Sequence, residues 1–163
     1  MNTIKRSMNK MSKWLLLLGW VPTLAVTGYL FVQTETVNAA AARKPIMVSR
    51  IYTGADGQTH VKEYEVPLAP AQAGSTTDLS AIQAAESIQF RRTSSEYYLP
   101  FHNAPRRQYV ITLSGESEVE FGDGTKVRLY PGHILLAEDT EGQGHISRAL
   151  GDEDRLSIFV ALE

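Results

Sequence analysis

The chain has 163 residues, a formal net charge of −2, four histidines and no cysteine. A disulfide framework, a thiolate metal site and a cysteine nucleophile are therefore excluded. The length leaves room for one ordinary domain once an N-terminal segment is set aside, since domains typically run about 100–150 residues.

Residues 1–13 carry Lys5, Arg6, Lys10 and Lys13 without an acid, and Trp14 to Val32 is an apolar run broken only by uncharged residues. A basic start before such a run is a secretory signal peptide or an N-terminal membrane-anchor helix. The run is barely enough to span about 30 Å of hydrocarbon, while Val37-Asn38-Ala39 and Ala40-Ala41-Ala42 offer small-residue cleavage sites. A buried core helix is the alternative, but it would not need four flanking cations. Residues 1–42 are thus expected to be a signal or anchor plus linker. The domain behind them is expected to be exported, periplasmic or extracellular, or held at the membrane outside the cytoplasm. Without residues 1–42 the chain keeps twelve basic and seventeen acidic residues, a net charge of −5. Such a domain has no general attraction for phosphate backbones, so nucleic acid is not expected as a partner.

From Ile46 the chain reads as short strands punctuated by Gly and Pro. Ile46 to Tyr52 suits an edge strand, Gly54-Ala-Asp-Gly57 turns, and Thr59 to Val66 alternates to complete a hairpin. Ala71 to Glu86 looks like an insertion, loop-like to Thr77, with a helical turn or two expected over Asp78–Glu86. Ser87–Arg92 and Glu96–Phe101 are expected strands, the second delivering His102 just before Pro105 stops the ladder. Gln108, Val110 and Thr112 fall on one face and Tyr109, Ile111 and Leu113 on the other, so neither face is fully solvated and the strand is expected to be central. Glu116, Glu118 and Glu120 alternate with Ser117, Val119 and Phe121, acid outward and apolar inward. Gly122-Asp-Gly124 and Pro131-Gly132 are turns, His133–Ala137 is an apolar strand, and Ile146–Ala149 and Leu156–Leu162 complete the sheets around the charged turn Gly151–Arg155.

Within this series, Gly115 lies seven residues after Gln108 and His102 six before it, and Gly124, Pro131-Gly132 and His145 follow in order. These residues resemble the two motifs of the cupins. Ala104 and Gln108 stand where cupins carry a second His and a Glu, and Ala149 where an Asn is usual. Pro105-Arg-Arg-Gln108, Leu113-Ser-Gly-Glu116, Ala137-Glu-Asp-Thr140 and Gly144-His145 are similar to a group of single-domain cupins. The resemblance covers about residues 46–162 and implies an all-β jelly-roll barrel, preceded here by the signal or anchor helix.

The resemblance also implies a metal site. Borderline divalent ions suit nitrogen and oxygen donors that converge from neighbouring strands. His102, Gln108 and His145 would then hold Zn, Fe, Mn or Ni, with Gln108 giving a neutral amide oxygen where a carboxylate is usual. The alternative is that both histidines are hydrogen-bonded pocket residues and Gln108 bridges backbone groups. Of the neighbouring carboxylates Glu138 and Asp139, one is expected to point into the barrel mouth, where desolvation would raise its pKa and suit it as general base or fourth ligand. The alternative is a solvated acidic turn. Arg106 and Arg148 can offer guanidinium forks to a carboxylate or phosphate, or else pair with local acids, and Tyr98 can wall the pocket or serve as core. His60 and His133 are read as surface or turn residues. The function expected is that of a small-molecule enzyme, possible metal-dependence included, acting on an oxygenated organic substrate by isomerase, lyase, hydrolase or dioxygenase chemistry. A non-catalytic binding barrel that has lost its metal is the alternative, and a homodimer through the edge of the first hairpin is expected.

Overall fold

The computed structural model describes residues 43–163. The expected signal or anchor therefore lies outside the described residues. Among the described residues no helix is long and apolar enough to cross a membrane.

Alternation of β-branched and polar residues drives the first two strands together. β1 (Met47–Thr53) and β2 (Thr59–Glu65) pair antiparallel in unbroken register from Met47↔Glu65 to Thr53↔Thr59. The remaining strands are β3 (Ala69–Pro70), β4 (Asp78–Leu79), β5 (Ala85–Thr93), β6 (Tyr98–His102), β7 (Gln108–Ser114), β8 (Glu116–Glu120), β9 (Lys126–Leu129), β10 (Ile134–Glu138), β11 (His145–Leu150) and β12 (Arg155–Leu162). Six form one sheet in the order β2-β1-β10-β7-β12-β5, four form a second in the order β6-β11-β8-β9, and β3 pairs only with β4.

The two large sheets face each other across a shared apolar layer. Ile51, Val110, Leu135 and Ala137 come from the first sheet, Val119 and Leu129 from the second, and Phe121 follows β8 into the same cluster. Burying a side chain such as Phe121, 2 % exposed, is worth about 1.5–3 kcal/mol. β7 lies between β10 and β12, the central position its two-sided apolar pattern requires. Its outer face is covered as well: Tyr109 packs with Val48, Leu136 and Leu162, and its hydroxyl donates to Gln83 Oε1 at 2.9 Å, tying the 66–84 segment over the sheet.

Two local readings give way to tertiary pairing. β1 is an inner strand, because β10 adds to it in parallel from Ser49↔Leu135 to Tyr52↔Glu138, leaving β2 at the edge. No helix forms over Asp78–Glu86; the stretch contributes β4 and the start of β5, since its apolar residues meet no partner at helical spacing and Ile82 stays fully exposed.

Candidate functional site

The space between the sheets is not completely filled. A cavity of about 570 Å³ remains, walled by residues of β5 to β12. His102, Gln108 and His145 all line it, together with Arg91, Arg106 and Arg155. No Asp or Glu is among its lining residues.

His102 and His145 face each other in the β6–β11 register, with ring centroids 4.4 Å apart and planes inclined by 58°. A bulge makes this possible. Between the pairs His145↔His102 and Ser147↔Leu99, β6 has two residues where β11 has one. The extra residue falls next to Pro100, which has no N–H to give the ladder. The bulge reverses the alternation, so Leu99 and His102 both face the cavity, and Tyr98 turns out to the opposite face.

Both imidazoles have one nitrogen committed. His102 Nδ1 lies 2.9 Å from the carbonyl oxygen of Pro100, which can only accept, so Nδ1 carries the hydrogen and Nε2 holds the lone pair. Burial outweighs the Pro100 hydrogen bond, which favours the charged ring, and holds the His102 pKa below its ordinary value, keeping this ring neutral at neutral pH. His145, 6 % exposed, donates from Nδ1 to Oδ2 of the fully buried Asp139 at 2.6 Å, which again leaves Nε2 as the free nitrogen in the neutral ring. Thr59 Oγ1 donates to the same Asp139 oxygen at 3.2 Å, while Oδ1 is buried without a hydrogen-bond partner among the described residues. The Asp139 carbonyl accepts from the Ala104 amide at 3.1 Å and from Asn103 Nδ2 at 3.3 Å. One residue thus anchors the histidine ring and the turn that follows β6. Gln108, 9 % exposed, makes no side-chain hydrogen bond among the described residues, so its carboxamide is free to meet a ligand rather than bridge backbone groups.

The structure divides the other expected residues differently. Glu138 and Asp139 do point to opposite sides, yet neither carboxylate lines the cavity. Glu138 is held between Arg50 Nε at 2.5 Å and Arg107 Nη2 at 2.7 Å. Burial alone would push its pKa up, but the two guanidiniums outweigh burial and hold it below the usual carboxylate value. This corrects the expectation of Glu138 as a general base with a raised pKa. Asp139 is turned to His145 and is not among the lining residues. Tyr98 is 59 % exposed and pairs in register with Arg148, which bonds Glu120 and lies 3.4 Å from Glu118 on β8. Both are outside the cavity wall, so neither is placed to touch a ligand there, whereas Arg106 is. His60 meets Asp56 at 3.0 Å near the surface, and His133 is bonded to Ser49 Oγ at 3.0 Å, both away from the cavity.

Arg155 is the residue that sequence reasoning passed over. It ends an acidic turn, where a cation reads as solvated, but it is only 6 % exposed and lines the cavity. Its Nη1 donates to Ser117 Oγ, and its Nε is buried without a hydrogen-bond partner among the described residues. Burial, with the Arg91 charge added, holds its pKa below the usual arginine value. The signal that was present is parity: Arg155 keeps step with Ser157, buried like it on β12.

Two imidazole nitrogens and one carboxamide supply no negative charge, the nearest carboxylate is turned to Nδ1 of His145, and three guanidiniums share the wall. Among the described residues no group of three His, Cys, Asp or Glu converges. Without a charged ligand these residues fit a resident divalent ion poorly, because ligand charge helps to offset its desolvation. Gln108→Glu adds the missing charge and is expected to tighten Zn(II) binding tenfold or more, about the 1.4 kcal/mol of a charge-assisted contact. Titration with Zn(II) followed by elemental analysis reads this directly. Stoichiometric zinc in the wild-type protein, with no gain in the variant, would overturn the argument.

No protein-family model and no curated protein matches the chain. Among solved structures it is similar to a protein from Neisseria meningitidis, at 16 % identity and a TM-score of 0.37, covering 47 % of this chain and 74 % of that one. It is similar also to an RmlC-like cupin protein from Desulfovibrio desulfuricans, at 18 % identity and a TM-score of 0.35, covering 49 % and 76 %. The cupin domain of Cnp3 from Schizosaccharomyces pombe matches at 13 % identity and a TM-score of 0.38, covering 77 % and 88 %. By its own strand order, with six- and four-stranded sheets enclosing a cavity that His102, Gln108 and His145 line, the described domain is a jelly-roll barrel.

Proposed function

We propose that the barrel acts on a small oxygenated organic molecule, with the His145–Asp139 pair moving a proton at His145 Nε2. The observation that carries this reading is the buried 2.6 Å contact between His145 Nδ1 and Asp139 Oδ2 behind an imidazole that lines the cavity. A neutral imidazole whose far nitrogen donates to a fixed carboxylate is a competent general base, because the carboxylate selects the tautomer and stabilises the imidazolium that forms. His102 Nε2 is a second proton acceptor in the same cavity. The Gln108 carboxamide can donate an N–H to an oxygen on which negative charge develops. Base-initiated isomerisation or elimination suits this set. The basic start and the apolar Trp14–Val32 run support a barrel working beyond a membrane.

The rival reading is a barrel that binds without reacting, favoured by the positively charged, acid-free wall. Deuterium exchange separates the two. The full-length protein in D2O is expected to catalyse exchange of the C–H beside a carbonyl in members of a panel of small 2-oxo and 3-oxo acids, followed by proton NMR. His145→Gln should slow that exchange by about 10²–10⁴-fold, the usual worth of a positioned base. If panel members bind but none exchanges, the barrel is a binding module and the catalytic reading fails.

A further inference from the structure

The cavity carries a second polar feature, at the far end from the histidines. Along β12, Ala161 pairs with Gln108, and Arg155 lies six residues earlier, about 20 Å away at about 3.3 Å per residue before the reach of the side chain is counted. Here Arg155 is buried and directed into the cavity, with Nη1 on Ser117 Oγ and Nε without a hydrogen-bond partner among the described residues. No carboxylate pairs with it among the described residues, although Asp152, Glu153 and Asp154 immediately precede it; all three are exposed. Arg91, on the neighbouring β5, also lines the cavity and is likewise without an acid. Its guanidinium sits 5.1 Å from the Phe159 ring and 5.8 Å from that of Tyr97. Its charge is felt at both ends of the cavity, by Arg155 and by His102.

Two guanidiniums on one cavity wall repel each other, and burying one without a counter-charge is costly. That cost is recovered when an anion completes the arrangement, because a planar guanidinium matches a carboxylate or phosphoryl group with paired N–H donors. We propose that Arg155 and Arg91 form an oxyanion subsite that holds a carboxylate or phosphoryl group of the molecule presented to His145. This rests on the proposed function for what happens at the other end of the molecule, but not for the anion binding itself. The ligand is then an elongated organic anion, its charged group at the Arg155 end and its reacting carbon near His145 Nε2, with Val110, Val119 and Phe159 along the apolar middle.

The test is calorimetric titration of the full-length protein with inorganic phosphate and with succinate, against sodium chloride at matched ionic strength. Saturable binding of at least one oxyanion is expected, and the tighter of the two identifies the phosphoryl or the carboxylate arm. Arg155→Met and Arg91→Met should each weaken it about tenfold or more, the worth of one charge-assisted contact. Arg91 is exposed, so its variant tests the subsite even if Arg155→Met fails to fold. Arg148→Met, which removes an outer-face ion pair, should leave binding unchanged. His145→Gln should bind the anion as the wild type does, so loss of proton exchange there with retained binding separates the two proposals. No saturable binding of either anion, or binding unaltered by both Arg91→Met and Arg155→Met, overturns the subsite.

Discussion

Asp139→Asn is expected to cut the proton-transfer rate by about 10²–10⁴-fold while leaving the barrel folded. The carboxylate that accepts from His145 Nδ1 is fully buried, so no water can take over its role. A carboxamide of the same shape can turn its NH2 group to Nδ1, which moves the ring hydrogen to Nε2 and removes the lone pair that faces the cavity. Even in the other orientation it offers no charge to stabilise an imidazolium. Exchange rates measured beside ¹⁵N spectra of the His145 ring report both parts of the effect: the rate should fall and the Nε2 signal should shift from bare toward protonated. Asp139→Ala, which strands the buried Nδ1 hydrogen and Thr59 Oγ1, should also cost about 1–3 kcal/mol of stability by urea denaturation. Exchange in Asp139→Asn within threefold of wild type would remove Asp139 from the mechanism.

Gly144→Ala should be the most damaging single methyl in the domain. Gly144 has φ = 74°, a backbone in which a Cβ costs about 1–2 kcal/mol. Here the added Cβ would also run into the His102 carbonyl group and approach the Asn103 amide nitrogen to 2.9 Å. These are backbone atoms at the end of β6, so no rotamer change relieves the overlap. Forced packing of this kind adds about 1–3 kcal/mol, for a total of about 2–5 kcal/mol, and the relief open to the chain is to push β6 away from β11 and part the two imidazoles. Gly124→Ala is the control, since Gly124 has φ = 82° with nothing within 4 Å of an added Cβ, and should show the backbone cost alone. Urea midpoints for the two variants, with the His102 and His145 ring signals as a local probe, measure the difference. Equal destabilisation would mean that the close approach at His102 carries no energy.

Both effects depend on contacts between residues remote in the chain, and that separates what was legible from what was not. Alternation is local, so the first hairpin, the buried centre at β7 and the outward acids of β8 could all be read from neighbours one and two residues away. The spacing of His102, Gln108, Gly115 and His145 carried the resemblance, and all three side chains with ligand-binding groups reach the cavity wall. The sequence by itself therefore determined that this is an all-β domain and which histidines could meet. It did not determine strand neighbours: β1 reads as an edge, and only the parallel addition of β10 makes it an inner strand. Nor could it show a one-residue bulge, which depends on how β6 lies against β11 and which sends Tyr98 outward and His102 inward from positions of the same parity. The chemistry of the charged residues was decided at the same level. Glu138 and Asp139 are adjacent and alike in sequence, yet Arg50 and Arg107 claim one and His145 the other. Arg155 follows three acids, yet the β12 register against β5 and β7 carries it inside the barrel and leaves those acids in water. A charge's partner, and hence its pKa and its use, is set by which strands lie beside it, and strand order is a property of the closed barrel that no local pattern encodes.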